Sequence, residues 1–138
     1  MQNPDFPQLA ALECKNYLLW LQVQEDKAEK RGFPLSLWYR GPLLDAYTRI
    51  TRYLPALKGS LAICFANIEV ASECQGKGFL TQLLETLAVP GLPLKAEFLY
   101  FENVLNPRLQ VWLPSVGFEV NPFSGEMAPC YFRRRVPQ

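Results

Sequence analysis

The chain has 138 residues, 49% of them apolar and 20% charged, with a formal net charge of +1. A chain near this length buries roughly 68% of its unfolded surface, so one globular domain is the economical reading and whole-chain disorder is excluded. The near-neutral balance argues against a nucleic-acid module that neutralises many phosphates, no run approaches the ~20 apolar residues of a membrane span, and the absence of histidine removes imidazole from any catalytic or metal-binding role.

After Pro7, residues 8–31 carry Leu9, Leu12, Leu19 and Val23, then a charged second half that stops at Gly32 with Lys30 and Arg31 just before it. Basic residues in a last turn followed by glycine predict a helix, in one piece or two. Leu35–Arg40 is a weak strand signal, and alternation over Ala46–Leu54 predicts a strand with a polar face that includes Arg49 and Arg52. Leu61–Val70 is nearly unbroken apolar until Asn67 and Glu69, which predicts a strand buried on both faces. Gly76–Leu87 places Phe79, Leu80, Leu83, Leu84 and Leu87 on one helical stripe, and Ala96–Phe101 reads as a second apolar strand. The connection between the two strands has the length of a right-sized crossover, so they should be parallel.

Asn106 followed by Pro107 starts another helix, with Leu109, Trp112, Leu113 and Val116 at helical spacing and Pro114 and Gly117 to end it. Phe118–Asn121 and Ala128–Arg134 flank a turn-rich stretch and should form a closing hairpin, with Arg133, Arg134 and Arg135 as a solvated chain end. Trp20, Trp38 and Trp112 read as core or interface anchors. Cys14, Cys64, Cys74 and Cys130 show no Cys-x-x-Cys pairing, and the first residues lack the layout of a secretion leader. A reducing cytoplasm and buried, unpaired thiols are expected.

The most informative stretch runs from Val70 to Thr81, from a buried strand through a short loop into the first turn of a helix. Gly76 and Gly78 permit close approach, first-turn amides lack intrahelical partners, and the helix end carries partial positive charge, so an anion is welcome there. Glycines that serve loop geometry alone are the competing reading. A Walker loop fails because Gly76-Lys77-Gly78 lacks the lead-in and the hydroxyl, and a dinucleotide fingerprint fails because Thr81 stands where its third glycine belongs.

The stretch resembles the pyrophosphate loop of the GNAT superfamily of acyl-CoA-dependent N-acyltransferases, Gln/Arg-x-x-Gly-x-Gly/Ala. Gln75, Gly76, Lys77, Gly78 and Phe79 fit, Val70 sits at the expected offset, and Leu80 replaces the final small residue. A second motif of that family, an asparagine followed eleven residues later by Gly-Phe, is matched by Asn106, Gly117 and Phe118. The resemblance implies an α/β fold with a central mixed, mostly antiparallel sheet, one parallel strand pair splayed for acyl-CoA, and flanking helices. It implies a single acyltransferase domain over residues 1–138, with a variable helical part in 1–40 and the cofactor-binding core in 61–118. The implied reaction is direct transfer of an acetyl group from acetyl-CoA to an amine of a small molecule or protein, with no metal.

On the same resemblance, the backbone of Ile68–Val70 pairs with the pantetheine arm, the amides of Gln75, Gly76, Lys77, Gly78, Phe79 and Leu80 cradle the diphosphate, and Asn106 bonds the cofactor or caps its helix. Many relatives carry an acidic tyrosine seven residues after the asparagine; here that position is Leu113. Glu69 and Glu102, near the ends of the two central strands, are the candidate bases, and Tyr100 and Tyr131 are weak substitutes for the acid. The expected partners are an amine acceptor and a second copy of the chain, with no nucleic acid and no membrane. Leu113 and Leu80 motivate a rival, a non-catalytic member that binds CoA or assembles with other proteins; an interaction module such as a mobile-element or phage accessory factor is a third possibility.

Overall fold

The computed structural model describes residues 5–137. Helix α1 (Phe6–Arg31) is unbroken and starts two residues earlier than the sequence predicts, because the Asp5 carboxylate accepts the Gln8 amide at 3.1 Å and Pro7 pre-sets the first turn. Gly32, at φ +101°, ends it. Strands β1 (Leu35–Arg40), β2 (Leu44–Thr51) and β3 (Ala62–Val70) form an antiparallel meander. Helix α2 (Phe79–Leu87) then crosses over to β4 (Phe98–Phe101), which lies parallel to β3 as the crossover length predicts. Helix α3 (Pro107–Ser115) and the hairpin strands β5 (Glu119–Val120) and β6 (Tyr131–Arg134) complete a six-stranded sheet in the order β1-β2-β3-β4-β6-β5. Among the described residues only β3–β4 is parallel, so the sheet is mixed and mostly antiparallel, as the resemblance implies.

The larger core packs inward-facing strand residues such as Ile50, Ile63, Phe65, Leu99 and Phe101 against Tyr17, Leu83 and Leu113 of the helices. A smaller cluster around Leu57, Cys64, Tyr100 and Cys130 fills the other face. All four thiols are buried and unpaired, as expected. No described helix is long and apolar enough to cross a membrane.

Several expectations are corrected. The apolar residues that signal α1 are not its buried ones: Leu9, Leu12, Leu19 and Val23 are exposed, while Glu13, Gln24 and Glu25 are buried. The reason is that α1 uses carboxylates to hold loops. Glu13 Oε2 accepts the Leu43 amide at 2.6 Å and its other oxygen accepts the Tyr39 hydroxyl. Glu25 accepts the amides of Lys95 and Ala96 at 2.8 and 2.9 Å, just ahead of β4. Burial pushes the Glu25 carboxyl above its ordinary pKa, against the pull of those two amides and of Arg135. Strand β3 is fully buried only over its first half, and Asn67 and Glu69 reach solvent. Helix α2 begins at Phe79, not Gly76, because Gly76 and Gly78 adopt φ of +75° and +78° and cannot belong to a right-handed helix. Trp38 is 38% exposed, stacked on Tyr47, and is no core anchor.

The arginine cluster is the plainest correction, since only Arg134 is solvated as predicted. Arg133 donates to the Val116 carbonyl at 2.8 Å. Arg135 is buried and its guanidinium donates to the carbonyls of Ala96 and Leu87, both at 2.8 Å, and of Leu94 at 3.4 Å. Replacing Arg135 with Met keeps the stem and leaves these acceptors unpaired in the interior. A loss of about 3 kcal/mol is expected, read as a drop of about 10 °C in a thermal melt, whereas Arg134→Met should shift the melt by less than about 2 °C.

Candidate functional site

A one-residue irregularity in β3 shapes the site. Tyr47 pairs with Asn67 and Thr48 with Phe65, so Ala66 is an extra residue without a partner in β2. Such a bulge bends its strand. Beyond it β3 leaves β4: the parallel ladder runs from Ala62–Phe98 to Phe65–Phe101, and the last link is the Glu102 amide on the Phe65 carbonyl at 3.1 Å. The backbone of residues 67–70 is paired with β2 on one edge and open on the other.

The gap widens into a cleft of about 700 Å³. Ile68, Glu69 and Val70 form one wall, Asn106, Arg108, Leu109 and Trp112 of the α3 end form the other, and the loop and first turn of α2 close the end. Here the chain turns through a short 3-10 segment, Ser72–Cys74, and the Gln75 side chain donates to the Val70 carbonyl at 3.2 Å, fixing the loop against the strand. The amides of Gly76, Gly78, Phe79, Leu80 and Thr81 find no acceptor among the described residues. Gly78 is the N-cap of α2, with no side-chain cap and nothing within 4 Å of where a Cβ would stand. A row of outward-facing amides at a helix start, with the positive end of the helix behind it, is a seat for phosphate oxygens.

Of the predicted cofactor-binding residues, Ile68, Val70, Gln75, Gly76, Gly78, Phe79, Leu80 and Asn106 line this one cleft. Lys77 does not: its ammonium lies 5.2 Å from the centre of the Phe6 ring on α1. Asn106 caps α3, its Oδ1 accepting the Arg108 amide at 2.9 Å, while also facing the cleft. The Gly117-Phe118 pair has a structural use: Gly117 takes φ +92° at the helix end, and Phe118 packs edge-on against Phe101 with ring centres 5.3 Å apart.

The two predicted carboxylates have different surroundings. Glu69 is exposed on the cleft wall and also borders a smaller cavity of about 150 Å³ under Gly41–Asp45. Glu102 does not line the cleft. It is half-buried in an ion pair with Arg49 and accepts the Cys64 thiol at 3.2 Å. Burial and the Glu102 charge together push the Cys64 thiol well above its ordinary range. Arg49, expected on an exposed face with Arg52, is thus an internal partner, also bonded to Ser36 at 3.1 Å. Neither tyrosine reaches the cleft: Tyr100 is buried with its hydroxyl accepting from Asn121 at 2.9 Å, and Tyr131 is buried in the larger core. Leu113 is fully buried, so α3 presents no hydroxyl at that position.

Sequence reasoning missed Thr81, Arg108 and the cleft role of Trp112. It also missed the bulge, for which a signal exists. Inward residues fall on odd numbers up to Phe65 (Leu61, Ile63) and on even numbers after it (Ile68, Val70), a change of phase that one extra residue produces. Among the described residues no group of three or more Cys, Asp or Glu side chains could hold a metal ion.

Fold and cleft together define a mixed α/β chain with a splayed parallel pair and an amide-lined pocket at its fork. No family model matches the chain, and no curated protein does. Among solved structures it is similar to a mutant AtaT toxin bound to the C-terminus of the antitoxin AtaR and acetyl-CoA, at 18% identity and a TM-score of 0.47, over 67% of this chain and 59% of that one. The chain thus spans about three fifths of the length of the structure it matches.

Proposed function

We propose that the chain, acting as one domain over residues 1–138, binds acetyl-CoA in the cleft and acetylates an amine. The observation that carries this reading is the joining, in one cleft, of an open strand edge at 68–70 and the unpartnered amides of Gly76, Gly78, Phe79, Leu80 and Thr81. Acetyl-CoA supplies an acetyl group on a thioester, from which the amine nitrogen displaces the thiol. The open backbone of Ile68–Val70 pairs with the amide-bearing arm as an added strand would. The amides of Gly76, Gly78, Phe79, Leu80 and Thr81 hold the diphosphate, while the Lys77 amide is taken by the Cys74 carbonyl, and the Arg108 guanidinium adds positive charge at the opposite wall. Glu69, on the wall and open to solvent, takes the proton that the acceptor ammonium loses before attack, through water. Glu102 lies outside the cleft in an ion pair with Arg49, so Glu69 alone carries the base role in this reading.

Calorimetric titration with acetyl-CoA, followed by a thiol-release assay over a panel of amines, tests the reading. Binding and release with at least one amine are expected, and absence of binding overturns it. Glu69→Gln should lower kcat at least tenfold while leaving the affinity for acetyl-CoA within about twofold, since the loss is confined to proton transfer. Equal turnover in the two proteins would remove Glu69 from the reaction.

A second reading, a non-catalytic CoA-binding or protein-interaction module, is favoured by one observation: Leu113 leaves no side-chain acid on α3 to protonate a departing thiolate. Binding without thiol release on any amine would select it. A stable protein partner recovered with no cofactor present would point instead to an interaction role.

A further inference from the structure

The exposed side of α1 carries a pattern that neither the core nor the cleft uses. Leu9, Leu12, Asn16, Leu19 and Val23 are alternately three and four residues apart, the spacing of a two-helix seam. All five are exposed, the four apolar ones at 38%, 55%, 49% and 51%, while the helix buries Ala10, Cys14, Tyr17, Leu21 and Ala28 on its other side. The seam is about 21 Å long at ~1.5 Å per residue. Its one polar member, Asn16, sits at its midpoint, and an asparagine at a single seam position is a device that fixes register and partner number.

We propose that α1 pairs antiparallel with α1 of a second copy of this chain, with Asn16 of each on the two-fold axis. Charge selects both the partner and the direction. The same spacing continues to Asp26 and Lys30, so a parallel pair would set Asp26 against Asp26 and Lys30 against Lys30. Turning one helix round removes both repulsions. With Asn16 on the axis, Leu9 meets the partner's Val23, Leu12 meets the partner's Leu19, and Lys27 reaches the partner's Asp5 at the other helix's start. Asp26, Lys27 and Lys30 make no ion pair among the described residues, so the basic helix end is free for an acidic partner. Antiparallel helix dipoles add to the match. A self-complementary patch of this kind closes into a dimer and does not propagate.

Sedimentation equilibrium of the full chain across micromolar concentrations should show a reversible monomer–dimer equilibrium. Leu12→Lys combined with Leu19→Lys should shift it at least 30-fold toward monomer, with the thermal melt of the monomer and its acetyl-CoA affinity unchanged. Direction is read by crosslinking, because the native thiols are buried. Leu9→Cys mixed with Val23→Cys should give a disulfide-linked pair on mild oxidation, and Leu9→Cys alone should not. A chain that stays monomeric, a dimer indifferent to the two lysines, or Leu9→Cys linking to itself would each overturn the proposal. None of these outcomes depends on whether the cleft binds acetyl-CoA.

Discussion

Gly78→Asp is expected to raise the dissociation constant for acetyl-CoA at least 100-fold while leaving the fold intact. The two effects separate because of where Gly78 sits. It caps α2 at φ +78° with open space around a built Cβ, so an aspartate meets no steric block. The left-handed backbone costs an L residue about 1 kcal/mol, and aspartate is among the few side chains that visit that conformation. The thermal melt should therefore move by no more than about 3 °C. The new carboxylate would occupy the amide row and bring its own negative charge to the place assigned to the diphosphate. Gly78→Ala supplies the contrast, with the same backbone strain and no charge, and should weaken binding by tenfold or less. Calorimetry on the two variants checks the assignment. Equal affinities in Gly78→Ala and Gly78→Asp would mean that no phosphate lies at this helix start.

Glu13→Ala is expected to cost about 4 kcal/mol of stability, the largest single loss anticipated outside the apolar core. Its carboxylate serves two buried donors, the Leu43 amide and the Tyr39 hydroxyl, and each orphaned donor costs roughly 1 to 3 kcal/mol. Chemical denaturation would read this as a lower midpoint at unchanged slope. Gly41 belongs to the same arrangement, since a Cβ there would stand 2.5 Å from both Glu13 carboxylate oxygens. Gly41→Ala should thus destabilise even though its backbone needs no glycine conformation. The clamp also reaches the cleft: the Leu43 carbonyl accepts the Ala71 amide at 2.9 Å, immediately after β3, so Glu13 helps hold the end of the wall that carries Glu69 and Val70. A Glu13→Ala protein as stable as wild type would show that water replaces the carboxylate.

The parts of the fold that the sequence makes legible are those where local pattern and tertiary burial agree. Phe79, Leu83, Leu84 and Leu87 mark α2 because the stripe that defines the helix is the stripe it buries. The Asn106-Pro107 start of α3 is local chemistry and needs no tertiary partner. In α1 the two disagree. Its leucines advertise a face that the chain's own core never covers, and its buried face includes the carboxylates of Glu13 and Glu25, whose backbone partners lie 30 and 70 residues away. No window of sequence contains those contacts. Arg135 and Arg49 read as surface charge for the same reason, since their acceptors come from distant elements. The cleft was legible wherever backbone chemistry makes it, at Gly76 and Gly78, and illegible where side chains are brought in by the fold, at Arg108 and Trp112.

The bulge at Ala66 has a consequence for how such a pocket can arise or disappear. With Ala66 deleted, inward residues would alternate without interruption through Val70, and nothing local would oblige the strand to part from its neighbour. Zipping the two strands shut would then supply the missing ladder bonds from within the chain and leave no free edge for a guest. The capacity to hold a ligand would rest on a single insertion, acquired or erased by one codon, while the rest of the architecture stays as it is.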